Sequence, residues 1–263
     1  MEIRGTNALV TGASGGIGAA IAEGLALRGA SLRLTGRNVE ALERVAARTG
    51  GEVVPCDLSD AGEVEELAAG CADCDILVAN AGLPGSGNLF DFSAGEIDRA
   101  LDVNLRAPIQ LSRAIGEQMR ERRRGQIVFI SSLLGKIATP GSSLYSATKF
   151  GLRGFAAGLR ADLSRSDVGV SVIFPGFIRD AGMFHDSGTR LPSWVGTNTP
   201  GDVAEAVCRS IVENRHETDV APLVMRSTVW VAGAVPPLAA RVMDRMGAGN
   251  VSSQLSSGQR DKR

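Results

Sequence analysis

Apolar positions along this chain fall into short, nearly unbroken runs that alternate with longer stretches where they recur every three or four residues. NALVT (7–11), SLRLT (31–35) and EVVPC (52–56) are runs of the first kind, each followed by an amphipathic stretch, near 17–28, 39–48 and 61–70. Short apolar runs bounded by turn residues read as buried strands, and the 3.6-residue recurrence reads as helices hiding one face. The same beat continues, with strands predicted at DILVAN (75–80), QIVFIS (126–131) and VSVIFP (170–175), and helices near 94–102, 105–122, 146–165 and 201–213. Apolar residues near 219–224 predict a last strand. Strands without a polar face need cover on both sides, which calls for a parallel sheet between two helical layers. The expected fold class is therefore α/β, a single doubly wound parallel sheet in one domain over 1–227, with no linker or internal repeat.

Residues 228–247 read as an apolar and amphipathic C-terminal extension, and 248–263 as a polar, disordered tail. In the extension, Leu238, Val242, Met243 and Met246 share one helical face and Arg241, Asp244 and Arg245 the other, after a VWVAGAV run too short to span a bilayer. Three things could cover its apolar side. In order of preference they are the protein's own core or a subunit interface, a substrate pocket that the extension lids, and a membrane surface.

Charge excludes one class of partner. A formal net charge of −1 and a pI near 6.2 leave no basic footprint, so nucleic acid is not expected. MEIRGTNALVTG has neither the charged start nor the long apolar run of a secretory leader, and no stretch reaches the ~18 apolar residues of a membrane span, so a cytoplasmic location is expected. Cys71 and Cys74 form a CxxC, but a redox pair normally opens a helix, whereas CADCDILVANAG reads as a helix end entering a strand. His185 and His216 stand far apart with no ligand pattern, and no metal site is expected.

TGASGGIG (11–18) lies between the first strand and the first helix, where glycines bring backbone N–H groups and a helix N-terminus up to a pyrophosphate. Gly12, Gly16 and Gly18 are spaced GxxxGxG. At the end of the second strand an acidic residue would bind a ribose 2′-hydroxyl, and a basic one accommodates a 2′-phosphate. LRLTGRN places Gly36 and Arg37 there, which favours NADP(H) over NAD(H) as cofactor; a solvated helix start at Arg37 weighs the other way.

TGxxxGIG in the first turn, NAG at 80–82, Asn104 in DVNL, Ser132 in ISS, YSATK at 145–149 and PG at 175–176 occur in this order on these elements. The set resembles the short-chain dehydrogenase/reductase superfamily in its shorter, single-domain form, over residues 5 to about 225. The resemblance implies a Rossmann-like fold and an NAD(P)-dependent oxidoreductase that interconverts a carbonyl and a secondary alcohol by hydride transfer. It implies a small-molecule substrate and a homodimer or homotetramer. It assigns the cofactor to Gly12, Ser14, Gly16, Ile17 and Gly18, to Asp57 and Leu58 at the adenine edge, to Asn80, Ala81 and Gly82, to Pro175, Gly176 and Ile178, and to Tyr145 and Lys149. Asn80 could equally hold strand and turn together. The catalytic set it implies is Asn104, Ser132, Tyr145 and Lys149, with Asn104 holding a water that links Lys149 to solvent; a helix-capping asparagine is the alternative.

Chemistry agrees with that set. Tyr145 is the only tyrosine among 263 residues, one helical turn before Lys149, although i,i+4 pairs also arise on any exposed helix face. Reduction of a ketone needs a proton at the oxygen as negative charge builds there, and a phenol can deliver it if a nearby cation lowers its pKa of about 10. Lys149 is placed to do so. Ser132 would donate to the same oxygen, with Ser131 expected on the opposite side of the strand.

Asp180 stands where relatives often have a Thr that seats the carboxamide, and could cap the next helix or hold a lid. Residues 183–198, with Phe184, Leu191 and Trp194, suit a substrate loop and hint at a hydrophobic substrate. The last strand lacks the VDGG-like ending of many ketoacyl reductases, which counts against that activity. A cofactor-binding regulatory or scaffold protein with little turnover is the alternative function, disfavoured by the intact Ser, Tyr, Lys and Asn set.

Overall fold

The computed structural model describes residues 1–188 and 195–234. Its strands are β1 (Asn7–Thr11), β2 (Ser31–Gly36), β3 (Glu52–Pro55), β4 (Ile76–Ala79), β5 (Gly125–Ile130), β6 (Val168–Pro175) and β7 (Glu217–Val220). They form one parallel sheet in the order β3-β2-β1-β4-β5-β6-β7. The helices are α1 (Gly16–Ala26), α2 (Val39–Thr49), α3 (Ala61–Ala69), α4 (Ala94–Leu101), α5 (Ala107–Arg122), α6 (Ser143–Asp162), α7 (Gly182–Asp186), α8 (Pro200–Glu213) and α9 (Leu223–Ala234).

Period-2 alternation in the strands divides the core in two. Ala8, Val10, Ile76, Val78, Val128 and Ile173 pack with Ile21 and Leu25 of α1, Leu42 of α2 and Val207 of α8. Leu9, Leu77, Ile127, Phe129, Val170 and Val172 point the other way, onto Leu67 of α3, Leu111 and Ile115 of α5, and Leu152 of α6. Both faces of the central strands are thus dry, as their unbroken apolar runs require. The strand order reverses between β1 and β4, and a crevice opens there at the carboxyl ends of the strands.

Two elements depart from the pattern read off the sequence. The last strand stops at Val220, not at 224, and Leu223–Ala234 is helical. Pro222 has no N–H to continue a ladder and is preset for a first helical turn, so a helix starts after it, takes in 229–234 of the apolar run and crosses the expected boundary at 227. The predicted helices near 94–102 and 105–122 are joined through a π-helical turn, Asp102–Arg106, in which Ala107 donates five residues back to Asp102. Pro108 explains it: without an N–H it cannot serve the carbonyl of Asn104, so the helix widens by one residue. The expected amphipathic face at 238–246 and the tail lie outside the described residues.

All four cysteines are free and buried, and Cys71 and Cys74 sit in the turn between α3 and β4, with Cys74 Sγ donating to the Ile76 carbonyl at 3.0 Å.

Candidate active site

A cleft of about 580 Å3 runs along the carboxyl edge of the sheet at the reversal point, and the glycine loop forms one wall of it. Gly12 has φ +64°, and a Cβ there would lie 2.8 Å from the Ala81 Cα; one on Gly18 would meet the Gly12 carbonyl oxygen at 2.2 Å. Only hydrogen fits at either position, so β1, α1 and the β4 turn close to backbone contact. Helix α1 begins with no side-chain cap and no acidic residue in its first turn, leaving its N–H groups free for an anion. Ser14, Gly15 and Ile17 complete this wall. Asn80 donates from Nδ2 to the Thr11 carbonyl at 2.9 Å and the Gly12 carbonyl at 3.2 Å, so it does hold strand and turn together while lining the cleft with Ala81 and Gly82.

At one end of the cleft Arg37, Cys56, Asp57 and Leu58 converge. Arg37 is half exposed and precedes the helix, since Asn38 caps α2 by accepting from the Ala41 N–H. Its Nη1 lies 3.9 Å from Asp57 Oδ2. Partial burial works to raise the Asp57 pKa, but the Ser59 N–H and hydroxyl, at 3.0 and 2.7 Å, and the Arg37 charge hold it below the usual carboxylate range. The glycine cradle, the uncapped helix start and this paired cation fit a dinucleotide with its pyrophosphate at α1.

At the other end stand Ser132, Tyr145 and Lys149. Ser132 follows β5, where its Oγ accepts from the Leu134 N–H at 3.1 Å and its hydroxyl lies near the Tyr145 phenol. Ser131 turns away, its hydroxyl donating to the Lys149 carbonyl at 3.2 Å. Lys149 is 2 % exposed, with Nζ donating to the Ile130 carbonyl at 3.0 Å and lying 5.5 Å from the Tyr145 ring centroid. Burial pushes its pKa down to about 8. The expected lowering of the phenol by Lys149 is not what this environment produces. Burial raises the Tyr145 pKa well above 10, with only the Ser132 hydrogen bond opposing it.

Asn104 lies in the π-helical turn, behind the cleft wall, and caps no helix. Its Oδ1 accepts from the Leu83 N–H at 2.6 Å and its Nδ2 donates to the Leu83 carbonyl at 2.9 Å, which ties α5 to the segment after β4. A Cβ on Gly82 would lie 3.4 Å from Asn104 Oδ1 and 3.6 Å from Lys149 Nζ, so both groups stand beside Gly82.

Pro175, Gly176 and Ile178 line the far wall with Phe177, which reasoning from the sequence passed over. Its signal was its place beside the Pro-Gly turn. The Phe177 and Phe184 rings lie 4.9 Å apart, and Leu83, Leu134 and Met183 add further apolar surface. Ala181 covers the glycine loop: a Cβ on Gly16 would fall 2.1 Å from its own Cβ. Asp180, at φ +71°, points its carboxylate at Arg179, with Nε at 3.4 Å, and α7 starts without a side-chain cap, so of the two roles open to Asp180 it does not take the capping one. Leu191 and Trp194 lie outside the described residues.

Comparison with known proteins agrees with this geometry. The family model described as short chain dehydrogenase matches residues 6–191. Nodulation protein G of Rhizobium sp. (strain N33) is 41% identical over 186 residues, covering 68% of this chain and 76% of that one. Ketoacyl reductase HetN of Nostoc sp. is 33% identical over 227 residues, 83% of this chain and 79% of the relative. Among solved structures, a metagenomic short-chain oxidoreductase in complex with NADP superposes with a TM-score of 0.70 at 35% identity, covering 84% of this chain and 99% of the other.

Proposed function

The chain belongs to the short-chain dehydrogenase family of oxidoreductases, and from that premise we propose that it is an NADP(H)-preferring enzyme interconverting an apolar carbonyl compound and its secondary alcohol. The observation that carries this reading is the convergence of Ser132, Tyr145 and Lys149 on the cleft that the glycine loop opens. Gly12, Gly16, Gly18 and the start of α1 would hold the pyrophosphate, Arg37 the 2′-phosphate, and Lys149 the nicotinamide ribose. When bound, the nicotinamide supplies or accepts the hydride.

The side chains supply the proton chemistry. Tyr145 keeps its proton at neutral pH because burial disfavours the phenolate, so its hydroxyl is in the acid form that reduction requires. Ser132, beside that hydroxyl in the cleft, presents a second donor to the same substrate oxygen. Lys149 is cationic below about pH 8, so below that pH it carries a proton for the relay that resupplies Tyr145. Asn104 supports the relay: Pro108 denies its carbonyl the helical donor, leaving that oxygen for a water that returns a proton to Lys149. Leu134, Phe177, Met183 and Phe184 support an apolar substrate.

Tyr145→Phe tests this directly. It should leave NADPH binding intact and lower turnover at least ~10²-fold across a panel of ketones, aldehydes and ketoacyl thioesters, since it removes the donor and little packing. Wild-type turnover in the variant refutes the mechanism.

A further inference from the structure

Ser132 and Lys149 are each followed, four residues on, by a cation. Lys136 closes the short helical turn Leu133–Gly135 that Ser132 opens, and Arg153 stands on α6 one turn past Lys149. Both cations end on one carboxylate, Glu217 of β7. Lys136 Nζ lies 3.0 Å from its Oε2, and Arg153 grips both oxygens, Nε to Oε1 at 2.6 Å and Nη2 to Oε2 at 3.1 Å. Asp219, on the same face of β7, accepts a further bond from Lys136 Nζ at 2.6 Å. The Phe174 ring of β6 lies against both cations, 4.1 Å from Lys136 Nζ and 5.6 Å from Arg153 Cζ, and the next residue, Pro175, lines the cleft.

Two positive and two negative charges cancel here, largely out of water: side-chain exposure is 16 % for Lys136, 23 % for Glu217 and 21 % for Asp219. Burial works to raise the Glu217 pKa, but the hydrogen bonds and charges of Arg153 and Lys136 hold it below the usual carboxylate range. Glu217 therefore bridges the two cations as an anion at neutral pH. Replacing such a buried pair with apolar side chains often costs no stability; what the forked pairing adds is direction. Direction matters at this point, because the Ser132 turn meets α6 without slack. A Cβ on Gly135 would lie 2.6 Å from Ser131 Oγ and 2.8 Å from the Lys149 carbonyl oxygen, to which Ser131 itself donates at 3.2 Å. Those contacts set how closely the turn approaches α6, and the bridge through Glu217 stops it sliding along the helix.

We propose that Glu217 is a positioning residue: by holding Lys136 to Arg153 it fixes the Ser132 turn on α6, and with it the Ser132 hydroxyl beside Tyr145. It acts through the two cations, from a strand that lends no residue to the cleft lining. This role rests on the oxidoreductase reading of the cleft and adds a residue to it.

Because Tyr145 is the only tyrosine, an isotopic carbon label at tyrosine Cζ gives a single NMR resonance, and it comes from the site. Glu217→Gln, which removes the charge and keeps the shape, should move that resonance toward its position in Ser132→Ala. It should lower kcat on the carbonyl panel at least ~10-fold and leave the NADPH Kd within ~3-fold, since the glycine loop and Arg37 are untouched. In a Ser132→Ala background the same substitution should cost less than ~3-fold, because a residue acting through Ser132 then has nothing left to act on. Lys136→Met leaves the Arg153 pair whole, should repeat these results, and decides the matter if Glu217→Gln does not fold. A resonance that stays at its wild-type position, an unchanged kcat, or a loss that multiplies in full with that of Ser132→Ala overturns the proposal. The resonance is read without turnover, so it tests the bridge even if the wild type reduces no carbonyl, an outcome that would refute the reaction alone.

Discussion

Arg37 and Lys149 show how differently two cations can serve one cleft. Arg37 is half exposed, and its nearest anion is Asp57 at 3.9 Å, too long for a hydrogen bond, so the guanidinium is available to a phosphate. Removing it deletes a charge-assisted contact of about 1.5–3 kcal/mol, or roughly ten- to a hundredfold in affinity. Arg37→Ala is therefore expected to weaken NADPH binding by that factor and leave NADH binding nearly unchanged, which paired titrations would check; an equal loss for both removes Arg37 from cofactor selection. Lys149 is buried, and its importance lies in titrating near neutral pH. Both residues were legible in the sequence because each belongs to a local pattern, Arg37 at a strand end and Lys149 one turn after Tyr145. The raised phenol pKa was not legible, because burial is a property of the packed site.

Between α4 and α5, a single proline decides where a side chain points. A helix that ran on through Asp102–Arg106 without the extra residue would rotate Asn104 away from Leu83. Pro108→Ala restores an N–H to the Asn104 carbonyl and removes a helix penalty of up to about 3 kcal/mol. The expected outcome is a melting temperature equal to or above the parent's, with turnover at least ~10-fold lower, measured by thermal melts and steady-state rates. Unchanged turnover would show that tertiary contacts alone hold the turn. The π-helical turn escaped the sequence reading because apolar periodicity registers one inserted residue only as a break between two helices. Helix α9 escaped for a related reason: VWVAGAV has no polar alternation, and a run apolar on all sides does not declare its period. The central strands and glycine loop were legible, because burial on both faces and contact between backbones each demand particular residues.

Across the whole molecule, burial of the thiols sets the response to alkali. Cys56, Cys71, Cys74 and Cys208 all have pKa values raised from 9.0 by burial, to about 11 for Cys56 and Cys208 and about 12 for Cys74. The folded protein keeps these protons where the unfolded chain loses them, so their contribution is complete below pH 9 and declines above it. Lys149, lowered from 10.5 to about 8, works the other way between those values. Four thiols outweigh one lysine, and each net proton is worth about 1.4 kcal/mol per pH unit. Urea melts should accordingly show stability falling between pH 9 and 10.5, with a shallower fall in Cys74→Ala; a flat profile contradicts the burial. The order of the strands has a consequence for synthesis as well. β1 pairs with β2 on one side and β4 on the other, so one edge of β1 stays unpaired after Thr11 until Ile76 has been made. At 5–20 residues per second that wait is roughly 3–13 s, during which an apolar strand edge is open to any neighbouring nascent chain.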